Sequence, residues 1–163
     1  MKLFGKLFKN DDKICLNAPV KGKSVALTEV PDVTFSEEIL GKGVAIIPSD
    51  NKIYSPCDGV VDLMFDTGHA VNLKSDKGVE ILIHVGIDTV ALKGDGFKTF
   101  KKSDEPVKKG DLLIEFDREE LIKKGYNVIV PMVVLNTETY KEVKSNINID
   151  VDKDTAVIEI TEA

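Results

Sequence analysis

Only two histidines, His69 and His84, and two cysteines, Cys15 and Cys57, occur among the 163 residues, so nucleophilic chemistry near neutral pH is confined to a few positions. A neutral imidazole nitrogen is a nucleophile, and a second imidazole beside it can donate a hydrogen bond to an incoming anion such as a phosphoryl group. Thr67, two residues before His69, offers a hydroxyl to orient that second ring. The same pair would serve as half of a zinc site, which needs further ligands at tetrahedral spacing. No third histidine exists, and neither cysteine lies at a ligand spacing. The cysteines are also too few for a disulfide framework and form no C-x-x-C pair, which fits a reducing compartment.

The segment joining the histidines decides whether they meet. Ser75-Asp76-Lys77-Gly78 is a tight-turn sequence flanked by Val71-Asn72-Leu73 and Val79-Glu80-Ile81-Leu82-Ile83. With Asp76-Lys77 as a two-residue loop, Ser75 faces Gly78 and, counting outward, His69 lies directly opposite His84 on the same face. Opposed Cβ atoms stand about 4.5–5.5 Å apart, so the rings would touch. A three-residue loop ending at Gly78 would instead set His69 against Val85 and place the rings on opposite faces. The two-residue register is the expectation. Alternation assigns Val79, Ile81, Ile83 and Val85 to the core, and Glu80, Leu82 and His84 to a mixed face where an imidazole can meet a large partner.

Elsewhere the chain is a series of short Val-, Ile- and Leu-rich runs punctuated by Gly, Pro, Asn and Asp, an all-β pattern. Strands are expected over 14–17, 24–27, 43–47, 52–54, 59–65, 69–73, 79–85, 97–99, 111–116, 127–134 and 155–161. The best helix is Arg118–Lys124 behind Asp117 as N-cap. So many short strands, with one or two short helices, predict a β-sandwich or barrel-like fold. The segments 55–61 and 105–113 share a Pro- and Gly-bounded pattern that reads as a pseudo-repeat. Residues 14–163 are read as a single domain. Residues 1–13 are read as a flexible N-terminal segment whose Leu3, Phe4, Leu7 and Phe8 would share one helix side, giving at most peripheral membrane contact.

Composition narrows the function. A formal net charge of -6 repels a phosphate backbone, so nucleic acid is not an expected partner. With 42% hydrophobic and 31% charged residues the balance is globular, and no apolar run approaches the roughly 18 residues of a membrane span. The start carries no secretory signal pattern, so the cytoplasm is the expected location.

The run Gly78-Val79-Glu80-Ile81-Leu82-Ile83-His84-Val85-Gly86-Ile87-Asp88-Thr89-Val90 resembles the active-site signature of the glucose-type enzyme IIA family of the bacterial sugar phosphotransferase system. The resemblance continues through Pro31–Val33, Gly41–Ile46, Pro56–Gly59, Thr67–Ala70, Leu92–Phe97 and Gly110-Asp111, roughly residues 18–140. It implies a duplicated hybrid β fold and a phosphoryl carrier that accepts the group from phosphohistidine on HPr and passes it to a IIB-domain cysteine. His84 would be the phosphorylated nucleophile through Nε2. His69 would hydrogen-bond the phosphoryl group, Thr67 would position His69, and the Gly86 carbonyl would fix the His84 tautomer. An apolar rim would dock partners and keep water from the phosphohistidine, with Val33, Phe35, Leu40, Phe65, Leu82 and Val90 as candidates. Asp32 and Asp88 would answer basic groups on partners. Gly68 stands where some relatives have Asn, and Leu82 where some have Phe. No cofactor is required on this reading; in some relatives the two histidines share a zinc ion with a partner's carboxylate. Some relatives also bind transporters or metabolic enzymes.

Two rivals are weaker. A zinc hydrolase of a related β-hybrid fold would need an H-x-H pair and a third ligand. A non-enzymatic module, either a regulatory binder or a lipoyl-type carrier, would use Lys77 at a hairpin tip in the latter case, but the flanking residues lack the context of such carriers.

Overall fold

The computed structural model describes residues 13–163. The reading of the preceding segment therefore lies outside the described residues, apart from Lys13, which opens the first strand. In chain order the strands begin with β1 (Lys13–Asn17), β2 (Gly22–Val25), β3 (Lys42–Pro48), β4 (Lys52–Tyr54) and β5 (Gly59–Met64). The central hairpin is β6 (Ala70–Ser75) and β7 (Glu80–His84). Then come β8 (Phe97–Thr99), β9 (Pro106–Val107), β10 (Leu112–Phe116), β11 (Val130–Val134), β12 (Tyr140–Ser145), β13 (Asp150–Val151) and β14 (Ala156–Glu162). Among the described residues there are two short α-helices, α1 (Val33–Ser36) between β2 and β3, and α2 (Arg118–Lys123) after β10.

Eight strands form one sheet in the order β13-β2-β3-β11-β7-β6-β5-β9, and two three-stranded sheets, β1-β14-β12 and β4-β10-β8, accompany it. The alternation of the large sheet explains the layering. Val44 and Ile46, Val71 and Leu73, Ile81 and Ile83, and Val130, Met132 and Val134 share one apolar cluster with Leu16, Ile53, Leu113, Phe116, Ile158 and Ile160 from the small sheets. Each such side chain contributes about 1.5–3 kcal/mol when fully removed from water. This is the sandwich-like all-β architecture expected from the sequence. The opposite face of the large sheet carries a second, smaller cluster, in which Val25, Ala45 and Val133 are covered by Leu27, Val30, Phe35, Ile87 and Ile129.

Asp117 caps α2, its side chain accepting from the Glu120 N–H. The helix over 33–36 and the strand over 140–145 go beyond the sequence expectations. α1 is only one turn long, started by Asp32, whose Oδ1 accepts from Thr34 N at 2.9 Å. β12 alternates poorly because Lys141, Glu142 and Lys144 interrupt it with charge. The expected strand over 24–27 lies two residues earlier and gives way to a 3-10 turn at Leu27–Glu29. The two turn-bounded segments pack against each other: Gly59 and Val60 pair with Val107 and Pro106, and Ser55 exchanges backbone hydrogen bonds with Asp111 and Gly110.

The hairpin register corrects the expectation. Ala70 pairs with His84, Val71 with Ile83 and Leu73 with Ile81, one residue away from the two-residue-loop register. The loop is Asp76-Lys77-Gly78, closed by Ser75 N to Val79 O at 2.9 Å, with Gly78 at φ 88°. A three-residue hairpin needs a left-handed residue at its end, and glycine adopts that conformation without a Cβ penalty. Gly78 therefore selects the longer loop.

Candidate functional site

The shifted register does not separate the histidines. His69 lies just outside the ladder, in the turn before β6, and its carbonyl accepts from Val85 N at 2.7 Å. Because its backbone is no longer part of the extended strand, its side chain is released from strand alternation. The residue directly opposite His84 is Ala70, whose single methyl leaves room beside the imidazole. The two rings meet edge to face, with centroids 5.1 Å apart and planes inclined by 79°. The expectation of adjacent histidines holds, for a different geometric reason.

Each imidazole is fixed through Nδ1. His84 Nδ1–H donates to the Gly86 carbonyl at 2.7 Å, and His69 Nδ1 is hydrogen-bonded to the Thr67 hydroxyl. That leaves Nε2 of both rings for other work. A carbonyl acceptor at His84 Nδ1 selects the tautomer with its lone pair on Nε2. At His69 a hydroxyl that donates to Nδ1 places the proton on Nε2.

The turn that presents the Gly86 carbonyl is tightly built. Gly86 N donates to Ile129 O at 3.0 Å and Ile87 N to Asn127 O at 2.9 Å. Buried Thr89 returns its hydroxyl to Val85 O at 2.6 Å. Gly86 has φ 79°, and a Cβ there would stand 2.7 Å from Thr89 Cγ2 and 3.0 Å from Asn127 O. Only glycine fits.

Burial holds both histidines below the ordinary imidazole pKa. For His69 the neighbouring His84 lowers it further. For His84 the hydrogen bond to Gly86 and the carboxylates of Asp32 and Asp88 pull in the opposite direction without overcoming burial. Both rings are therefore held toward the neutral form at pH 7, the form in which an imidazole nitrogen can act as a nucleophile.

Of the proposed rim, Val33 and Val90 are exposed, at 61% and 54%, and Leu40, Phe65 and Leu82 are half-buried. Asp88 is exposed in a left-handed conformation at the head of a 3-10 turn, Thr89–Leu92. Phe35 departs from the rim expectation: it is only 4% exposed and lies in the second cluster with its ring against His84. Sequence reasoning missed two neighbours on the His84 face. Asn72 pairs with Leu82 and has a buried Oδ1 without a hydrogen-bond partner among the described residues. Leu63 is 43% exposed and pairs with Asn72 because β5 bulges after Val61. A bulge inverts alternation and leaves no mark in composition.

Four surface clefts, of about 220 to 380 Å³, are lined by neither His69 nor His84. His84 is half-buried and His69 buried, with exposed Val33 and Val90 on the proposed rim and the carboxylates of Asp32 and Asp88 acting on His84. Among the described residues, no group of three or more His, Cys, Asp and Glu stands where it would hold a metal ion. No described helix is long and apolar enough to cross a membrane.

A pair of adjacent imidazoles at the end of a sheet hairpin defines the site, and comparison with known proteins gives the family. Residues 14–140 match the family model described as phosphoenolpyruvate-dependent sugar phosphotransferase system, EIIA 1. The chain is 44% identical over 137 residues to the glucose-specific EIIA component of Haemophilus influenzae, covering 84% of this chain and 82% of that protein. It is 37% identical over 161 residues to the corresponding component of Staphylococcus epidermidis, covering 98% and 97%. A glucose-specific EIICBA component of Staphylococcus saprophyticus matches at 41% over 126 residues, 77% of this chain and 19% of that longer protein. The solved glucose permease IIA from Mycoplasma capricolum superposes with a TM-score of 0.84 at 34% identity, covering 90% of this chain and 95% of that one. The chain belongs to the glucose-type enzyme IIA family of the sugar phosphotransferase system.

Proposed function

We propose that this chain is a phosphoryl carrier in which Nε2 of His84 accepts the group from a phosphohistidine of HPr and surrenders it to a cysteine thiolate of a IIB domain. The observation that carries this reading is the His84 Nδ1–H bond to the Gly86 carbonyl at 2.7 Å, which keeps Nε2 free, beside a second imidazole whose Nδ1 is likewise engaged.

In the first step the Nε2 lone pair attacks phosphorus as the donor's P–N bond breaks, and the donor imidazole leaves with that electron pair. In the second, the thiolate attacks phosphorus and the P–N bond to His84 breaks. Both steps pass through a loose transition state in which alignment and charge stabilisation matter most. His69 Nε2–H stabilises the phosphoryl oxygens while Thr67 holds its ring. The apolar rim excludes water, and Asp32 and Asp88 face basic groups of the partner. No step is routed through a metal; His84 Nε2, and His69 Nε2 once its proton has moved to Nδ1 with the Thr67 hydroxyl accepting, would supply two ligands to a zinc ion completed by a partner's carboxylate. Phosphorylation adds up to two negative charges to this face and would also release any regulatory partner that docks on the neutral form.

The test is intact mass after incubation with phosphoenolpyruvate, enzyme I and HPr. The unmodified chain gains one acid-labile phosphate, His84→Ala gains none, and His69→Ala gains one but passes it to a IIB domain about 10²-fold more slowly. An unmodified chain that gains no phosphate from active components, or a His84→Ala variant that still does, overturns the reading.

A further inference from the structure

Four aromatic rings stand in a row across the site, in the order Phe65, His69, His84, Phe35. Phe65 lies 5.4 Å from His69 with planes at 68°, His69 lies 5.1 Å from His84 at 79°, and His84 lies 5.5 Å from Phe35 at 57°. All three spacings fall inside the range favoured by tilted aromatic pairs.

We propose that Phe35 and Phe65 clamp the imidazole pair and fix the rotation of both rings for phosphoryl transfer, acting as positioning residues. The inference rests on the carrier reading and assigns these two side chains a role within it.

Phe35 has almost no surface to offer a partner, being 4% exposed. It is delivered to His84 by α1, where Phe35 N and Ser36 N both donate to Asp32 O, at 3.0 and 2.9 Å. Leu27, Val30 and Val133 of the second cluster hold it there. The imidazole needs such walls because its terminal torsion is soft and roughly two-fold. A single Nδ1 hydrogen bond fixes each tautomer, yet it restrains each ring at one edge only. Phenyl rings on the outer sides, with each imidazole walling the other, remove the remaining rotation and keep Nε2 in line with an incoming phosphorus. They also keep water from the rings, in accord with the burial that holds both histidines toward the neutral form. The charged and titratable groups acting on His84 are Asp32 and Asp88, and His84 itself acts on His69.

The experiment is single-turnover phosphoryl transfer from phosphorylated HPr at rising donor concentration, on the unmodified chain, Phe35→Leu, Phe65→Leu and Leu113→Ala, with NMR titration of both histidines. A clamp predicts that each Phe variant loses about tenfold or more in the saturating rate. It also predicts histidine pKa values moved toward the ordinary 6.5. Leu113→Ala, in the main core on the opposite face of the sheet, keeps the saturating rate. A raised half-saturating concentration at an unchanged saturating rate would make these docking residues alone. An equal loss in Leu113→Ala would make the loss in the Phe variants one of general destabilisation. Either result overturns the clamp. Should Phe35→Leu fail to fold, half-buried Phe65 carries the test. If the unmodified chain takes no phosphate, the carrier reading fails separately, and unchanged histidine titrations in the Phe variants then overturn the clamp.

Discussion

At the scale of single residues, His84 and His69 are held toward the neutral form in the folded chain because burial outweighs the nearby carboxylates. This has a consequence for stability. The unfolded chain binds protons at its histidines below about pH 6.5, while the folded chain resists doing so, so the unfolded state holds more protons over that interval. The histidine contribution to stability is therefore fully present above about pH 6.5 and declines as pH falls from there toward the lower folded values. Chemical denaturation at about pH 7.5 and about pH 5.5, on either side of the ordinary imidazole value, should show this loss, and His84→Gln should make the pH dependence shallower. An unchanged dependence in that variant would mean that His84 is not held neutral by the fold. The two histidines were legible in the sequence because they are the only ones and flank a turn. Thr67 was legible from its place two residues before His69, whereas Gly86 as the partner of His84 came from the family resemblance. Asn72 and Leu63 were not legible, since a bulge in β5 sets their alignment.

At the scale of elements, the β6–β7 hairpin and the turn after it fix where His84 stands. Both ends depend on a glycine, in different ways. Gly78 has φ 88° with open space where a Cβ would point, and Gly86 has φ 79° with Thr89 and Asn127 in the way. Gly78→Ala should cost about 1–2 kcal/mol from backbone conformation alone and leave phosphoryl acceptance intact. Gly86→Ala should cost more, and should slow acceptance because the carbonyl that fixes the His84 tautomer moves. Denaturant midpoints and transfer rates of the two variants check this, and equal effects on acceptance would contradict it. The hairpin was legible, but its register was not: Asp76-Lys77-Gly78 is compatible with both loop lengths, and the choice is made by the backbone of one glycine. The expectation that this register would part the rings failed because His69 lies outside the strand, beyond the reach of an alternation rule.

At the scale of the whole molecule, the main core and the site occupy opposite faces of the eight-stranded sheet. Stability and chemistry are thus separable over most of the chain. Leu113 is fully buried in the main core, and Leu113→Ala should lose about 2–5 kcal/mol of stability while the folded protein accepts phosphate at an unchanged rate. A matching loss of rate at a temperature where the variant is folded would show that the faces are coupled. The all-β class was legible from the spacing of apolar runs and turn residues. The small helix α1 was not, because a single turn carries too little periodicity to be seen. The central claim is that His84 carries phosphorus on Nε2, and the most direct measurement is long-range nitrogen–phosphorus correlation by NMR on the chain phosphorylated through HPr. The account predicts one phosphorus coupled to Nε2 of His84 and none on His69. Phosphorus on Nδ1, on His69, or on a residue other than a histidine would contradict it.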